Sequence, residues 1–182
     1  MRARRELDVL QRLTQHVRPP KELHIATHGG ERDGQPAVEL APGNWMTVGM
    51  LAATVLIPPV VVLTVCPVAY RSDAPHPPHR LPDALLHAGA KVVVAPLWPI
   101  RDSAAAAFSA LFYANLTWTD MLKRPAHTVA AAVTTTVREL QHLTTGQLAA
   151  RHLLLPLGDL RADPTERPFA DVRDHGAWTC WS

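Results

Sequence analysis

Two residues of this chain pair a reactive side chain with a position from which a fold could present it. His28 stands in His24-Ile-Ala-Thr-His-Gly-Gly30, and Cys66 closes the run Val60-Val-Val-Leu-Thr-Val-Cys66. Each ends a hydrophobic stretch that reads as a buried strand. A cysteine attacks as the thiolate, and the neutral thiol is a poor nucleophile. An imidazole held beside it favours the thiolate and later protonates a leaving amine. Nucleophilic catalysis is open to this pair if the surrounding elements bring the two residues together.

The elements that must do so follow from hydrophobic pattern. Glu22 to Thr27 reads as a short strand, and Val60 to Val65 is an apolar, β-branched run of the kind buried on both faces of a sheet. Lys91 to Ala95 reads as a third strand, again rich in valine. Residues 3–17 place Leu7, Leu10, Leu13 and Val17 on one face of an amphipathic helix, stopped by Pro19-Pro20. Residues 46–55 and 81–87 read as helices. A further helix runs from Asp102 or Ser103, as N-cap, to about Asn115. Residues 126–143 form another, with Val129, Val133, Val137 and Leu140 on one stripe. Gly29-Gly30 begin a turn-rich loop through Pro36, Ala37 to Leu40 is a minor strand, and 71–82 is a proline-rich loop. The segment 169–181 supplies a last short strand.

Strands alternating with helices predict an α/β fold around a mostly parallel sheet flanked by helices. Right-handed crossovers give successive strands one direction, so their C-terminal ends share an edge. Ligand sites in open α/β sheets favour that edge. His28 follows the first strand there, Cys66 follows the second, and Trp98 lies in the loop after the third.

Composition narrows the function classes. The chain has 182 residues, 47% of them apolar, which suits a single domain spanning 1–182. Lys+Arg number 18 against 16 Asp+Glu, a near-balance without the electrostatic footprint of a nucleic-acid binder. Arg2, Arg4 and Arg5 read as a solvated helix start. No uncharged apolar stretch reaches the ~20 residues of a membrane span, and Pro58-Pro59 break the nearest one. The charged N-terminus lacks a signal-peptide core, and two cysteines, Cys66 and Cys180, make no disulfide framework. The expected location is therefore cytoplasmic, with no membrane and no nucleic-acid partner.

The ordered set of segments resembles the CHAT domain, a family of caspase-like cysteine peptidases. Its carriers are His24-Ile-Ala-Thr-His-Gly29, Val61-Val-Leu-Thr-Val-Cys66 and the run from Leu85 through Ala88-Gly-Ala90 to Leu97-Trp-Pro-Ile-Arg-Asp102, with the Ala-rich helix and Phe112-Tyr113 behind it. The resemblance covers about 3–145. It implies a caspase-like three-layer sandwich and a catalytic dyad of His28 and Cys66. It also implies an oxyanion hole from the backbone N–H groups of Gly29 and Cys66. Pro67 has no N–H, but the donor is the nucleophile's own amide. The implied activity is that of a cysteine endopeptidase working through a thioester, without a cofactor or metal. The implied partners are a protein or peptide substrate and a TPR-containing or other regulatory protein.

Two features depart from the family pattern. Pro67-Val68-Ala69 replace the polar, small residues common after the cysteine, which alters the post-cysteine loop and its pocket. Less sequence precedes the histidine strand than is usual, which predicts a compact or N-terminally truncated domain, or a partner over the exposed edge. Together they keep open an alternative, a catalytically weak caspase-like adaptor that binds a partner protein.

Other residues read more simply. Trp98 is assigned to substrate binding, Asp102 to a helix cap and Cys180 to a structural role. His76 and His79 in His-Pro-Pro-His lack the third and fourth ligands a zinc site needs. The wider clan's aspartate specificity needs arginines in the pocket, and for that role Arg71 and Arg101 are no more than guesses.

Overall fold

The computed structural model describes residues 20–47, 49–51, 57–65, 81–151 and 163–182. The amphipathic helix expected at 3–17 and most of the proline-rich loop lie outside them. The chain forms two compact units. One ends at Ala95 and takes in Trp181–Ser182, and the other is Pro96–Cys180.

In the first unit, β1 (Glu22–Thr27), β5 (Val60–Val65) and β6 (Val92–Pro96) are parallel neighbours in the order β1–β5–β6. Glu22 pairs with Val60 and Thr27 with Val65, so β1 and β5 stay in register to their last residues. Val60, Val61 and Val62 pair with Val92, Val93 and Val94. The β-branched runs bury both faces as expected. Val61, Leu63, Val65, Val93 and Ala95 join Leu81 and Leu85 of α1 (Leu81–His87) in one core. Val60, Val62, Val92 and Val94 on the opposite face are also buried.

The segment after β1 is an antiparallel meander of β2 (Gly29–Arg32), β3 (Gln35–Ala41) and β4 (Asn44–Thr47), with β3 in the middle. The expected minor strand at 37–40 is present within β3, but the expected loop before it is a strand and a hairpin turn. Two dipeptides make the turns of the meander. Asp33 and Gly34 link the paired residues Arg32 and Gln35, with φ of 53° and 73°. Positive φ at both central positions is the type I′ hairpin that Asp-Gly favours, and its twist matches the strands. Pro42-Gly43 links Ala41 to Asn44. Proline presets the first central position of this turn, and Gly43 takes the positive φ of the second. Met46 and Thr47, read as the start of a helix at 46–55, belong to β4 instead. Val38 and Met46, opposite one another, deliver the buried face of the meander to the β5–α1 core.

The other face of the meander depends on Gly30. The Trp45 ring lies across it, so a Cβ there would stand 2.3 Å from a ring carbon of Trp45. The Arg32 guanidinium sits 4.9 Å from the centre of the same ring, over its π face. The indole thus covers a strand glycine that has no side chain of its own to pack. Gly30→Ala is expected to displace the indole and lower stability by about 1–3 kcal/mol, read from denaturant unfolding followed by circular dichroism. An unchanged midpoint would contradict this packing.

The second unit is built on α2 (Asp102–Asn115) and α4 (Pro125–His142), with α3 (Trp118–Met121) between them. Phe108, Leu111 and Phe112 of α2 and Val129, Ala132, Val133 and Leu140 of α4 are buried. The α4 stripe follows the expected positions, with Thr136 buried and Val137 only partly so. Asn115 closes the pair of helices by donating to Thr136 Oγ1 and to Glu139 Oε2, at 3.2 and 2.8 Å. Helix α5 (Thr144 as N-cap, Thr145–Ala150) begins with a reciprocal capping box between Thr144 and Gln147. After it come α6 (Val172–His175) and β7 (Trp178–Trp181), the short strand expected near the C-terminus. Asp102 is the first residue of α2 and not its cap. Arg101 holds the cap position, and the Asp102 carboxylate lies in the first turn, where the helix dipole favours negative charge.

Candidate active site

The parallel pairing of β1 and β5 sets the site. Thr27 and Val65 are the last paired residues of the two strands, and His28 follows the first of them directly. Cys66, next in sequence after Val65, lies outside the described residues, as do His76, His79 and Arg71.

Two bonds from β3 fix the backbone around His28. The Glu39 N–H donates to the His28 carbonyl at 2.9 Å, and the Thr27 hydroxyl donates to the Glu39 carbonyl. The meander therefore clamps the end of β1 on both sides of His28, and the His28 side chain is exposed. Gly29 is opposite Val38. The rung from Glu39 to His28 lies one pair before it. Because inward-pointing and outward-pointing pairs alternate along an antiparallel ladder, the Gly29 N–H points away from β3. Among the described residues β2 is an edge strand of the meander, so this donor faces away from β3, its partner strand there.

One residue of this region was not singled out from the sequence. His24, four residues before His28 and on the same face of β1, makes a 3.0 Å hydrogen bond through Nε2 with Thr64 Oγ1 of β5. The bond ties the two strands together one residue before the end of β5. The strand period of two could have flagged His24, but its partner depends on register. Burial holds the His24 imidazole below its ordinary value of 6.5. As pH falls through 6.5, the unfolded chain takes up a proton that folded His24 still refuses. The stabilising contribution is thus full above pH 6.5 and fades as pH drops through the lower folded value. The thermal midpoint of the wild type should fall more between pH 7.5 and 5.5 than that of His24→Gln. Equal falls would show that His24 is not the acid-sensitive group.

In the second unit, Trp98 is half-buried, and its indole N–H donates to the Arg173 carbonyl at 2.9 Å. The Arg101 guanidinium forms a two-pronged pair with the buried Asp174, donates to the Pro168 carbonyl at 2.8 Å and lies over Phe169. It anchors the segment before β7, with its side chain about half exposed. His87 bonds the Asp83 carbonyl within α1, as an ordinary helix histidine does. Among the described residues, no group of His, Cys, Asp and Glu could hold a metal ion. No helix among them is long and apolar enough to cross a membrane.

An α/β unit whose parallel strands end together, with a clamped histidine at one strand end, is a frame for chemistry at a sheet edge. The family model of the CHAT domain matches residues 2–170. The chain belongs to the CHAT domain family, which is caspase-like. No curated protein matches it.

Proposed function

We propose that the protein is a cysteine endopeptidase in which His28 and Cys66 form the dyad, within a caspase-like three-layer sandwich. The observation that carries the reading is the register of β1 and β5. Their paired ends at Thr27 and Val65 make His28 and Cys66 the next residues of two adjacent parallel strands. Family membership supports the same pairing.

In this reading the His28 imidazole takes the Cys66 proton, and the thiolate attacks the carbonyl carbon of a peptide bond. The oxygen of the tetrahedral intermediate accepts from the N–H groups of Gly29 and Cys66. The outward direction of the Gly29 N–H supports its part, and each such donor lowers the barrier by about 3 kcal/mol when correctly placed. Protonated His28 passes its proton to the leaving amine as the C–N bond breaks. Water then attacks the thioester, with His28 as base, and releases the acid. Every proton moves between groups of the chain, substrate and water, so no cofactor is needed. The substrate is a protein or peptide held at the sheet edge, and the family resemblance keeps Trp98 as a candidate substrate-binding residue.

Thiol labelling tests the reading against an adaptor without catalysis. Burial raises the Cys180 thiol above its ordinary value, so this residue stays protonated at mildly acidic pH. At pH 6, iodoacetamide should modify Cys66 at least tenfold faster than Cys180, read by peptide mass spectrometry. Equal and slow labelling of both would remove the activated nucleophile and leave the adaptor.

A further inference from the structure

A histidine that works with a nucleophile is ordinarily aimed by a third group, bonded to its other ring nitrogen. His28 has no such aid among the described residues. Its ring makes no hydrogen bond there, and its side chain is exposed. Neither packing nor a side-chain partner fixes the imidazole, so its direction follows from the backbone at the end of β1.

Thr27 holds that backbone. Leu23, Ile25 and Thr27 lie two residues apart and so share one face of β1. Leu23 and Ile25 pack against the core of β5 and α1, and Thr27 is paired with Val65, which is buried in that core. The row and its partner are apolar, and valine has the shape of threonine, so packing alone favours valine at this position. The hydroxyl has a different use: it donates to the Glu39 carbonyl of β3. The same Glu39 donates its N–H to the His28 carbonyl at 2.9 Å. One residue of the meander thus holds both residues where β1 runs into β2. Glu39 stands at an irregularity of β3, whose pairing with β4 shifts register between Glu39 and Ala41. Such bulges recur beside active sites, where they re-aim a strand or a side chain.

We infer, on the peptidase reading of His28 and Cys66, that Thr27 is a positioning residue for the dyad, its hydroxyl bond to Glu39 fixing the backbone from which His28 reaches the thiol. Without the hydroxyl, the Glu39 N–H still holds the His28 carbonyl, but the residue before His28 loses its tie. The imidazole then spends less of its time beside the thiol, and less thiolate forms at mildly acidic pH. A misplacement of about 1 Å is enough to cost a positioned group about 10²-fold.

The test compares the full chain with its Thr27→Val, Thr27→Ser and His28→Ala variants. Two quantities are read: the rate at which iodoacetamide modifies Cys66 at pH 6, and the urea unfolding midpoint. Thr27→Val keeps the shape of the side chain and loses the bond. Folded by circular dichroism, it should be modified about tenfold more slowly or worse, toward the rate of His28→Ala. Thr27→Ser keeps the hydroxyl and loses a methyl group from the apolar row. Its midpoint should fall, yet its rate should stay within about twofold of the wild type. A role in folding alone would instead make the rate follow the midpoint in every variant. A wild-type rate in Thr27→Val while His28→Ala is slow would overturn the role of Thr27 and leave the peptidase reading standing. A slow Thr27→Ser would overturn it as well, since the hydroxyl is still there. Equal rates for the wild type and His28→Ala would overturn the dyad itself, and the role of Thr27 with it.

Discussion

Cys66→Ala is expected to abolish peptide-bond cleavage and to leave the folded chain intact. The substitution removes one sulfur, and alanine offers no nucleophile in its place. Loss of a nucleophile that acts together with its base costs about 10⁴-fold or more in turnover. His28→Ala should cost about 10²- to 10⁴-fold, the range of a positioned general acid and base. The exposed His28 side chain supports little packing, so its removal should not move the unfolding midpoint. A peptide library made from digested cell protein, read by mass spectrometry for new termini, offers many sequences at once, so no cleavage site has to be chosen. New termini produced by the wild type and absent from both variants are the predicted result. Cleavage that survives in Cys66→Ala would refute the assignment of the nucleophile.

The second large effect concerns stability. Phe108 is fully buried and stacks on Trp178, with ring centres 3.6 Å apart and planes within 6°. Phe112, one helical turn further, lies 5.7 Å from it. The three rings form the aromatic centre of the second unit. Phe108→Ala removes a ring that no neighbour can replace, and the expected loss is about 3–5 kcal/mol. Phe108→Leu keeps most of the volume and should cost clearly less. Unfolding in urea followed by circular dichroism separates the two, and a Phe108→Ala midpoint equal to that of Phe108→Leu would contradict this packing. Such a loss is a large share of the 5–15 kcal/mol typical of a whole domain.

The readable parts of this fold were those with a strong local pattern. β5 begins and ends where its apolar run does, because β-branched residues buried on both faces leave no other periodicity, while β1 keeps its expected bounds but is only partly buried. Helix α1 follows its pattern from Leu81 to His87, and Asn115 ends α2 as expected. The minor strand at 37–40 is the middle strand β3 of the meander, but Gly29-Gly30 reads as a turn although both glycines are in a strand. The signals of the meander were the Asp33-Gly34 and Pro42-Gly43 dipeptides at the hairpin ends. The Thr144-to-Gln147 spacing likewise marked the start of α5. Helix pattern misled at Met46, where apolar residues of a strand run on into those that follow.

The same division holds for the candidate site. The placement of His28 at a strand end was legible, since it needs only a strand boundary and the rule for parallel sheets. The bond from His24 to Thr64 joins residues 40 apart in sequence, and the partners of Trp98 and Arg101 lie more than 60 away. Such pairings come from register and packing, which no local pattern carries. They also decide roles. The bond to Asp174 gives Arg101 a structural use, and the bond to Arg173 gives Trp98 one.

The dyad itself is tested most directly by the pH dependence of Cys66 alkylation in the wild type and in His28→Ala. Iodoacetamide reacts with the thiolate, so the rate follows the thiol's ionisation. In the wild type the rate should rise at a pH well below the ordinary cysteine value of about 8.5. In His28→Ala the rise should move up to the ordinary range, with the maximal rate at high pH little changed. Superimposable profiles for the two proteins would contradict the pairing of His28 with Cys66.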